Sequence, residues 1–472
     1  MKLVMPDFSR VLEIFLKLCK IPHGSGNLEE MVRYLRQFAQ SRGAVVTVDG
    51  ANNVIVEKKS KGTPLAVQAH IDMVCESDGS RRHDFLTDPI CPILDGDRLY
   101  ADGTTLGADD GIGVAMALAL LEGDFENPLY LILTADEEIG LLGANALRLG
   151  NLPLKTLINL DSEEEGIITI GCADGVLCDV TLENLNRRQI TQGAGLFSLS
   201  VSGLLGGHSG TDIHRNRGNA IKIICEILEK LPEDIRLCGL DGGSRHSAIP
   251  KDAKATFAVS KNYDPREIVR TAEEYYKTKY NGFFAAIEPV NLKKASDNLT
   301  AFTAEDTKKI LNLIKALPHG VVAKSHDFEG LTETSVNLAT AKAEYELQLC
   351  AMIRSNVVGG SESVAEEYKK AAVAVGAKIT VTQMFPIWAF SKNSPLASKA
   401  ATVYQTLFNK PPRILPIHAG LECGLLCDKL NGLDCISIGP DLHNVHTANE
   451  WLSLSSAKRT WEYLYAILRE LS

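Results

Sequence analysis

Residues 129–138, LYLILTADEE, form an apolar run that ends in three successive carboxylates. Three other apolar runs also end in residues that can bind a metal or a proton. In open α/β sheets, ligands bind beyond the carboxyl ends of the strands, so four such endings can meet in one crevice. The other runs and their endings are LAVQA before His70, TLINL before Asp161, and CISIGP ahead of His443 and His446.

The texture of the chain predicts two domains. Up to about residue 170, short apolar runs alternate with helical stretches, which is typical of a mostly parallel α/β sheet flanked by helices. Between about residues 178 and 384, half-exposed strands interleave with amphipathic helices, which favours an α+β, ferredoxin-like unit. Because the α/β texture then resumes, we expect residues 178–384 to be inserted into a discontinuous domain made of residues 1–177 and 385–472.

Composition excludes several classes of protein. The 472 residues are 45% hydrophobic and 23% charged, as in ordinary globular proteins. The net charge of −10 disfavours a nucleic-acid binder, which needs concentrated positive charge. The apolar stretches are too short to cross a membrane. Eleven cysteines without a C-x-x-C pair indicate reduced thiols, hence a cytoplasmic location, and argue against a cysteine-based zinc site.

His70 and Asp72 lie two residues apart at the end of an apolar run. Side chains at i and i+2 of a strand point to the same face, so Asp72 can orient His70 as the usual support of a metal-bound imidazole. A surface His-x-Asp pair is an equally ordinary interpretation of these two residues alone.

A glycine-rich turn, GTTLGADDGIG at residues 103–113, opens an apolar helix. The phosphate-binding pattern G-x-x-x-x-G-K-[ST] is absent, and Asp109 and Asp110 stand where a phosphate would need donors. The turn therefore predicts a cation site. One of the two aspartates is also expected to cap the helix.

The carboxylates Asp136, Glu137 and Glu138 repel one another, which raises their pKa values unless a cation lies nearby. A two-metal site accounts for them, because one glutamate can bind a metal while its neighbour takes a proton from water. The alternative is a solvated acidic loop. Asp161 presents the same choice, and we take it as a ligand.

The candidate donors are histidines and carboxylates, with no cysteine among them. This set fits zinc, with manganese or cobalt as alternatives, and fits calcium poorly because imidazole does not suit it. The candidates outnumber the ligands that one zinc ion needs. We therefore expect two metal ions per chain that share a bridging carboxylate.

Several motifs together resemble those of the aminoacyl-histidine dipeptidases, the PepD-like branch of the M20 metallopeptidases. They occur in order over nearly the whole chain, and their combination is specific although each one alone is weak. The motifs are VQAHIDMV, RHDF, GTTLGADDGIG, the EE pair, NLDSEEEG, GGHSG with DIH and GNA, IHAGLECGL and SIGP.

The resemblance implies a zinc peptidase domain built from both chain ends, an inserted lid that mediates a homodimer, and a role for each matching residue. One zinc ion would bind His70, Asp109 and Asp161. The second would bind Asp109, Glu138 and His446, with Asp109 as the bridge. The remaining roles would be Glu137 as general base, Asp72 as partner of His70, His208 as a group that stabilises the oxyanion, and Arg354 as the residue that binds the substrate carboxylate.

The implied activity is hydrolysis of short peptides, mainly dipeptides of the Xaa-His type. The chain departs from the family motifs at two places: His446-Thr-Ala-Asn-Glu450 replaces H-S-P-x-E, and residues 245–250 read RHSAIP in place of R-N-A-I-P. The resemblance also implies, as alternatives to histidine, substrates with other basic residues or with β-amino acids such as β-alanine at the first position.

Two other functions fit the same residues. The first is deacylation of N-acyl amino acids by a di-zinc site. The second is a metal- or peptide-binding protein without catalysis. The presence of Glu137 argues against this function, since a protein that had lost catalysis would be expected to lose the base as well.

Overall fold

The structure is a computed structural model that describes residues 7–150, 152–190, 193–289, 299–391 and 393–472. Contacts divide the chain into two units: Met1–Cys172 with Trp388–Ser472, and Ala173–Ile387. Within the described ranges, no helix combines the length and the apolar character needed to span a bilayer.

The elements follow one another in three blocks. The amino-terminal part of the first unit contains α1 (Phe8–Leu18), α2 (Glu29–Gln40), β1 (Val45–Val48), β2 (Val54–Lys58), β3 (Leu65–His70), β4 (Pro92–Asp95), β5 (Arg98–Ala101), α3 (Ala108–Leu120), β6 (Leu129–Thr134), α4 (Leu142–Ala146), β7 (Thr156–Asn159) and β8 (Ile167–Cys172). The second unit contains β9 (Gly175–Leu182), β10 (Arg187–Gln189), β11 (Gly195–Ser202), α5 (Ala220–Leu228), β12 (Arg236–Gly242), β13 (Ala253–Val259), α6 (Arg266–Lys279), β14 (Phe284–Pro289), β15 (Thr300–Phe302), α7 (Ala304–Ala316), β16 (Gly320–Lys324), β17 (Thr332–Ala343), β18 (Leu347–Ser355), α8 (Gly360–Ala374) and β19 (Lys378–Phe385). The carboxyl-terminal part of the first unit contains α9 (Pro395–Phe408), β20 (Arg413–Ile417), α10 (Glu422–Lys429), β21 (Asp434–Ser437), β22 (Leu442–His443), β23 (Trp451–Ser453) and α11 (Leu454–Leu471).

The first unit is built on an eight-stranded sheet with the order β1-β2-β6-β3-β7-β21-β8-β20. In this order β6, β3, β7 and β21 are successive neighbours, and each pair is parallel. These are the four apolar runs that precede the candidate ligands. The expectation that their endings meet at one edge of a parallel sheet is confirmed.

Helices cover both faces of this sheet. β3 and β6 are buried along their whole length, which is why they are continuous apolar runs rather than alternating ones. On one face lies α3, which is buried at every position and packs on β3 and α1. On the other face, strand residues such as Ala66 and Ile132 share an apolar cluster with Cys423 and Leu426 of α10.

The second unit contains two ferredoxin-like halves in one sheet. The strands of one half lie in the order β14-β11-β13-β12, and the chain connects them as β11-α5-β12-β13-α6-β14. The other half has the equivalent order β19-β9-β18-β17. Its two helices are α7, which precedes β17 in the chain, and α8, which follows β18. Pairing of β12 with β17 joins the halves.

The sequence predicts one such unit, and the structure has two because one half is inserted within the other. The first half lies between β9 and α7 of the second half, so the strands of the second half are far apart along the chain. Local patterns of hydrophobicity do not reveal pairing between such distant strands.

The boundaries between the units differ slightly from those expected at residues 177/178 and 384/385. Val176 of β9 already pairs with Ile353 of β18, so the second unit begins earlier. Phe385 pairs with Gly175, so β19 lies within the second unit up to its last residue.

Candidate metal centre

The strand endings of the first unit bring imidazoles and carboxylates together. His70 is the last residue of β3 and is 1% exposed. Glu138 follows β6, Asp161 follows β7, and His446 lies in the loop between β22 and β23. Asp109 enters from the turn that opens α3.

Asp109 lies at the centre of this cluster because its two carboxylate oxygens face different partners. Oδ1 is 3.1 Å from His70 Nε2, and Oδ2 is 3.0 Å from His446 Nε2. Asp161 Oδ1 is 3.7 Å from the same nitrogen of His70, whereas Glu138 Oε1 is 3.0 Å from His446 Nε2. This is the arrangement that a carboxylate shared by two cations would require.

Among the described residues, three groups of side chains could each hold a metal ion. Within each group, the ligand atoms lie within 4.8 Å of one another. Two of them coincide with the pair of ligand sets that the resemblance implies, and the third includes Glu137. The groups are His70 with Asp109 and Asp161, Asp109 with Glu138 and His446, and His70 with Glu137 and Glu138.

Asp72 contacts both His70 and the backbone of Glu137 and Glu138. The nearest acceptor for His70 Nδ1 is the backbone carbonyl of Asp72 at 3.0 Å, while the Asp72 carboxylate is 3.5 Å away. The carboxylate accepts the backbone N–H of Glu137 at 2.9 Å and that of Glu138 at 3.3 Å. Ser25 Oγ donates to it at 2.7 Å, a contact that the sequence did not indicate.

The carboxylates of the cluster are electrostatically costly by themselves. Burial, followed by repulsion from Glu138 and other carboxylates, raises the pKa of Glu137 well above its usual range. Burial likewise raises the pKa of Asp161, again with repulsion from Asp109. Burial lowers the pKa of His446, but its close contacts with the carboxylates of Asp109 and Glu138 outweigh the effect of burial and raise that pKa to about 11.

These features fit divalent cations. Glu138 Oε1 is buried and makes no hydrogen bond of good geometry, although an imidazole nitrogen lies near it. Two imidazoles and three carboxylates are donors that suit zinc, manganese or cobalt. Positive charge between them would relieve the repulsion that, together with burial, raises the pKa values of Glu137, Glu138 and Asp161.

The turn before Asp109 is held by a residue whose role the sequence did not reveal. The carboxylate of Glu450, which is 2% exposed, accepts backbone N–H groups of residues 106–109. A side-chain cap on this helix was expected from Asp109 or Asp110. Instead, Asp110 accepts the backbone N–H of His70 at 3.3 Å, and Asp109 faces the histidines.

A layer of buried polar side chains lies one pleat below the strand endings. Gln68 Nε2 donates to Glu422 at 2.5 Å, and Thr134 Oγ1 donates to the same oxygen at 2.6 Å. Asn159 donates to Gln68 at 2.5 Å, which links β7 to the layer. Glu422 is fully buried, and burial raises its pKa to about 7.

His208 and Arg354 lie close to each other in the second unit. Arg354 Nη2 is 3.4 Å from His208 Nε2, and the arginine is buried with 4% of its surface exposed. The backbone N–H groups of Gly210 and Thr211 approach His208 Nδ1 at 3.4 and 3.2 Å.

His443, the other histidine after the fourth apolar run, lies apart from the three groups of ligand atoms. It is exposed, and its ring stacks on Trp451 with 3.9 Å between the ring centroids. Of the two histidines in this segment, His446 is therefore the one that joins the cluster.

The sequence matches Peptidase family M20/M25/M40 over residues 66–470. The match covers most of the chain, which therefore belongs to this family of peptidases. The family resemblance and the fold class expected from the sequence motifs are both confirmed.

Two relatives are similar over nearly their whole length. The chain is 36% identical to the cytosol non-specific dipeptidase of Escherichia coli (strain K12), covering 97% of each sequence. It is 33% identical to the crystal structure of aminoacylhistidine dipeptidase from Vibrio alginolyticus, with a TM-score of 0.81, covering 98% of this chain and 96% of that one. Aminopeptidase PepT from Bacillus cereus has a TM-score of 0.59 at 16% identity, covering 99% and 100%, and shares the fold alone.

Proposed function

We propose that this chain is a metal-dependent dipeptidase that hydrolyses Xaa-His dipeptides, including those with β-alanine at the first position. The observation that carries the proposal is Asp109, whose two oxygens face two separate histidine-containing groups beside Glu137. The names of the E. coli and Vibrio relatives support dipeptides as the substrate class.

The proposed cofactor is a pair of zinc ions per chain, with manganese or cobalt as alternatives. His70, Asp109 and Asp161 would hold one ion, and Asp109, Glu138 and His446 the other. When bound, such ions lower the pKa of water and polarise the carbonyl group that is attacked.

Glu137 is the proposed general base. It takes a proton from the attacking water and gives it to the nitrogen of the leaving amine. Asp72 holds the backbone of Glu137 and Glu138 through hydrogen bonds, so one glutamate can bind metal while its neighbour stays free to move a proton.

For His208 and Arg354 the proposal rests on the family motifs. His208 would stabilise the oxyanion, and the planar guanidinium of Arg354 would bind the terminal carboxylate of the substrate.

A homodimer that forms through residues 178–384 is likewise proposed from the resemblance. A cytoplasmic location is supported by the name of the E. coli relative.

Glu137→Gln tests the assigned base. We expect the variant to keep its metal but to lose about 10²–10⁴-fold in kcat on β-alanyl-histidine and glycyl-histidine, as for removal of a general base. Bound zinc is measured by elemental analysis and kcat by amine release. A variant that holds zinc and turns over normally would refute the role of Glu137.

Asp136→Asn is the matched control. Asp136 belongs to the same acidic run, has a positive φ of 52° that asparagine also tolerates, and accepts the N–H of Gly26. It should retain most of the activity. N-acetylated dipeptides serve as a substrate control, because their turnover would indicate a deacylase instead.

A further inference from the structure

Glu450 binds four successive backbone N–H groups with its two carboxylate oxygens. Oε2 accepts from Leu106 at 2.8 Å and from Gly107 at 3.1 Å. Oε1 accepts from Ala108 at 2.8 Å and from Asp109 at 3.4 Å. Successive N–H groups in a turn form a concave site for an anion, and here a carboxylate of the same chain fills it.

The turn needs this acceptor because it is buried. Leu106 and Ala108 have no exposed surface, and Gly107 occupies the left-handed region with a φ of 71°. Gly107, the residue that precedes the helix, provides no side-chain cap. Without Glu450, buried N–H groups immediately before Asp109 would lose their acceptor, and the turn would have to rearrange.

The short segment that contains Glu450 also carries His446. The backbone N–H of Glu450 donates to the carbonyl of Thr447 at 3.0 Å, which closes the segment into a turn. One end of this turn therefore presents His446 Nε2 to Asp109 Oδ2, and the other end holds the backbone of Asp109.

We propose that Glu450 is a positioning residue that sets the bridging carboxylate of Asp109 in place relative to His446. The inference rests on the metal centre put forward above. Glu450 acts through the backbone of residues 106–109, and it touches neither the ligand atoms of Asp109 nor the substrate in this role.

The test is zinc affinity of the full-length protein, measured by competition with a chromophoric chelator, for Glu450→Gln. Glutamine has nearly the same shape but presents an NH2 group to two of the four N–H donors. Because partners that orient metal ligands are worth about 10–100-fold in metal affinity, we expect affinity to fall by at least about tenfold.

Asp306→Asn is the matched control. Asp306 is also 2% exposed and accepts a backbone N–H, from Asn186 at 2.8 Å, but it lies in the second unit. Its replacement should lower thermal stability and leave zinc affinity unchanged within about twofold. A purely structural role for Glu450 would give the same result for both variants.

Glu450→Asp keeps the charge and both oxygens, and should recover part of the zinc affinity and of kcat. At saturating zinc, we expect Glu450→Gln to lower kcat with little change in KM, because Glu450 is buried and acts through the turn that carries Asp109. A folded Glu450→Gln variant with wild-type zinc affinity overturns the inference. If Glu450→Gln does not fold, an unchanged zinc affinity in Glu450→Asp, whose carboxylate lies one methylene further from the four N–H groups, overturns it instead. Failure of the wild-type protein to bind zinc would contradict the proposed function itself.

Discussion

At the scale of the residue, Asp72 shows how one buried carboxylate can serve several parts of a site. It accepts hydrogen bonds from Ser25 and from the backbone of Glu137 and Glu138, and its own carbonyl faces His70. The backbone positions of Glu138, the proposed ligand, and of Glu137, the proposed base, therefore depend on Asp72, to which we assign neither of these roles.

We expect Asp72→Asn to reduce kcat/KM by about 10–100-fold, because an amide cannot accept all three donors and places an NH2 group against one of them. Ser25→Ala removes only one of the contacts and should have a smaller effect. Steady-state rates on glycyl-histidine for the two variants provide the measurement. Equal effects would show that the glutamate backbone does not depend on Asp72.

At the scale of the element, α3 carries the turn of Asp109 and lies wholly within the apolar interior. Leu118→Ala should lower the free energy of unfolding by about 2–5 kcal/mol, because the side chain has no exposed surface and its removal leaves a cavity. Leu407→Ala, at a helical position that is 45% exposed, should cost much less. Urea unfolding of both variants followed by circular dichroism would compare them.

The second unit contains a histidine whose protonation opposes folding. His319 Nδ1 lies 3.3 Å from both the N–H of Leu338 and the side-chain amide of Asn219. Burial, and then the positive charge of Lys222, lowers the pKa of His319 to about 4. The unfolded chain therefore binds this proton more readily than the folded chain between pH 6.5 and about 4.

Stability contributed by this residue is consequently complete above pH 6.5 and decreases as the pH falls towards 4. In His319→Asn the amide oxygen can replace Nδ1 as acceptor but does not titrate. We expect the thermal midpoint of this variant to depend less on pH over that range than the wild-type midpoint does. Calorimetry at pH 7 and pH 5 makes the comparison, and parallel pH dependences would contradict the assignment.

At the scale of the whole molecule, we expect metal binding to increase the free energy of unfolding. The folded state gathers carboxylates that repel one another when no cation lies between them. A ligand present at 100 times its Kd stabilises the folded state by about 2.7 kcal/mol. For a unit of this size that corresponds to a rise in the melting temperature of roughly 5–10 °C. Zinc should produce this rise after chelator treatment and restore hydrolysis.

His446→Ala should diminish the zinc-dependent rise, and Glu137→Gln should preserve it. Differential scanning calorimetry with and without zinc measures both. A rise of equal size in all three proteins would mean that zinc stabilises the chain elsewhere.

Most of the candidate site could be predicted because its residues follow apolar runs. Parallel strands that end at one edge bring His70, Glu138 and Asp161 together whatever their separation along the chain. The glycine-rich turn around Asp109 was recognisable from its own composition. Local sequence patterns are enough in these cases because strand burial and turn chemistry are local properties.

The sequence alone therefore determined the α/β class, the inserted α+β region and the candidate donors, through burial, periodicity and residue chemistry. Only the tertiary structure decided that Glu450 holds the turn of Asp109, that Ser25 reaches Asp72, and that the second unit contains two interlocked halves. Each of these depends on hydrogen bonds between segments remote in sequence. The sequence around a carboxylate does not indicate from which distant N–H group it will accept a hydrogen bond. No local pattern could therefore have revealed these contacts.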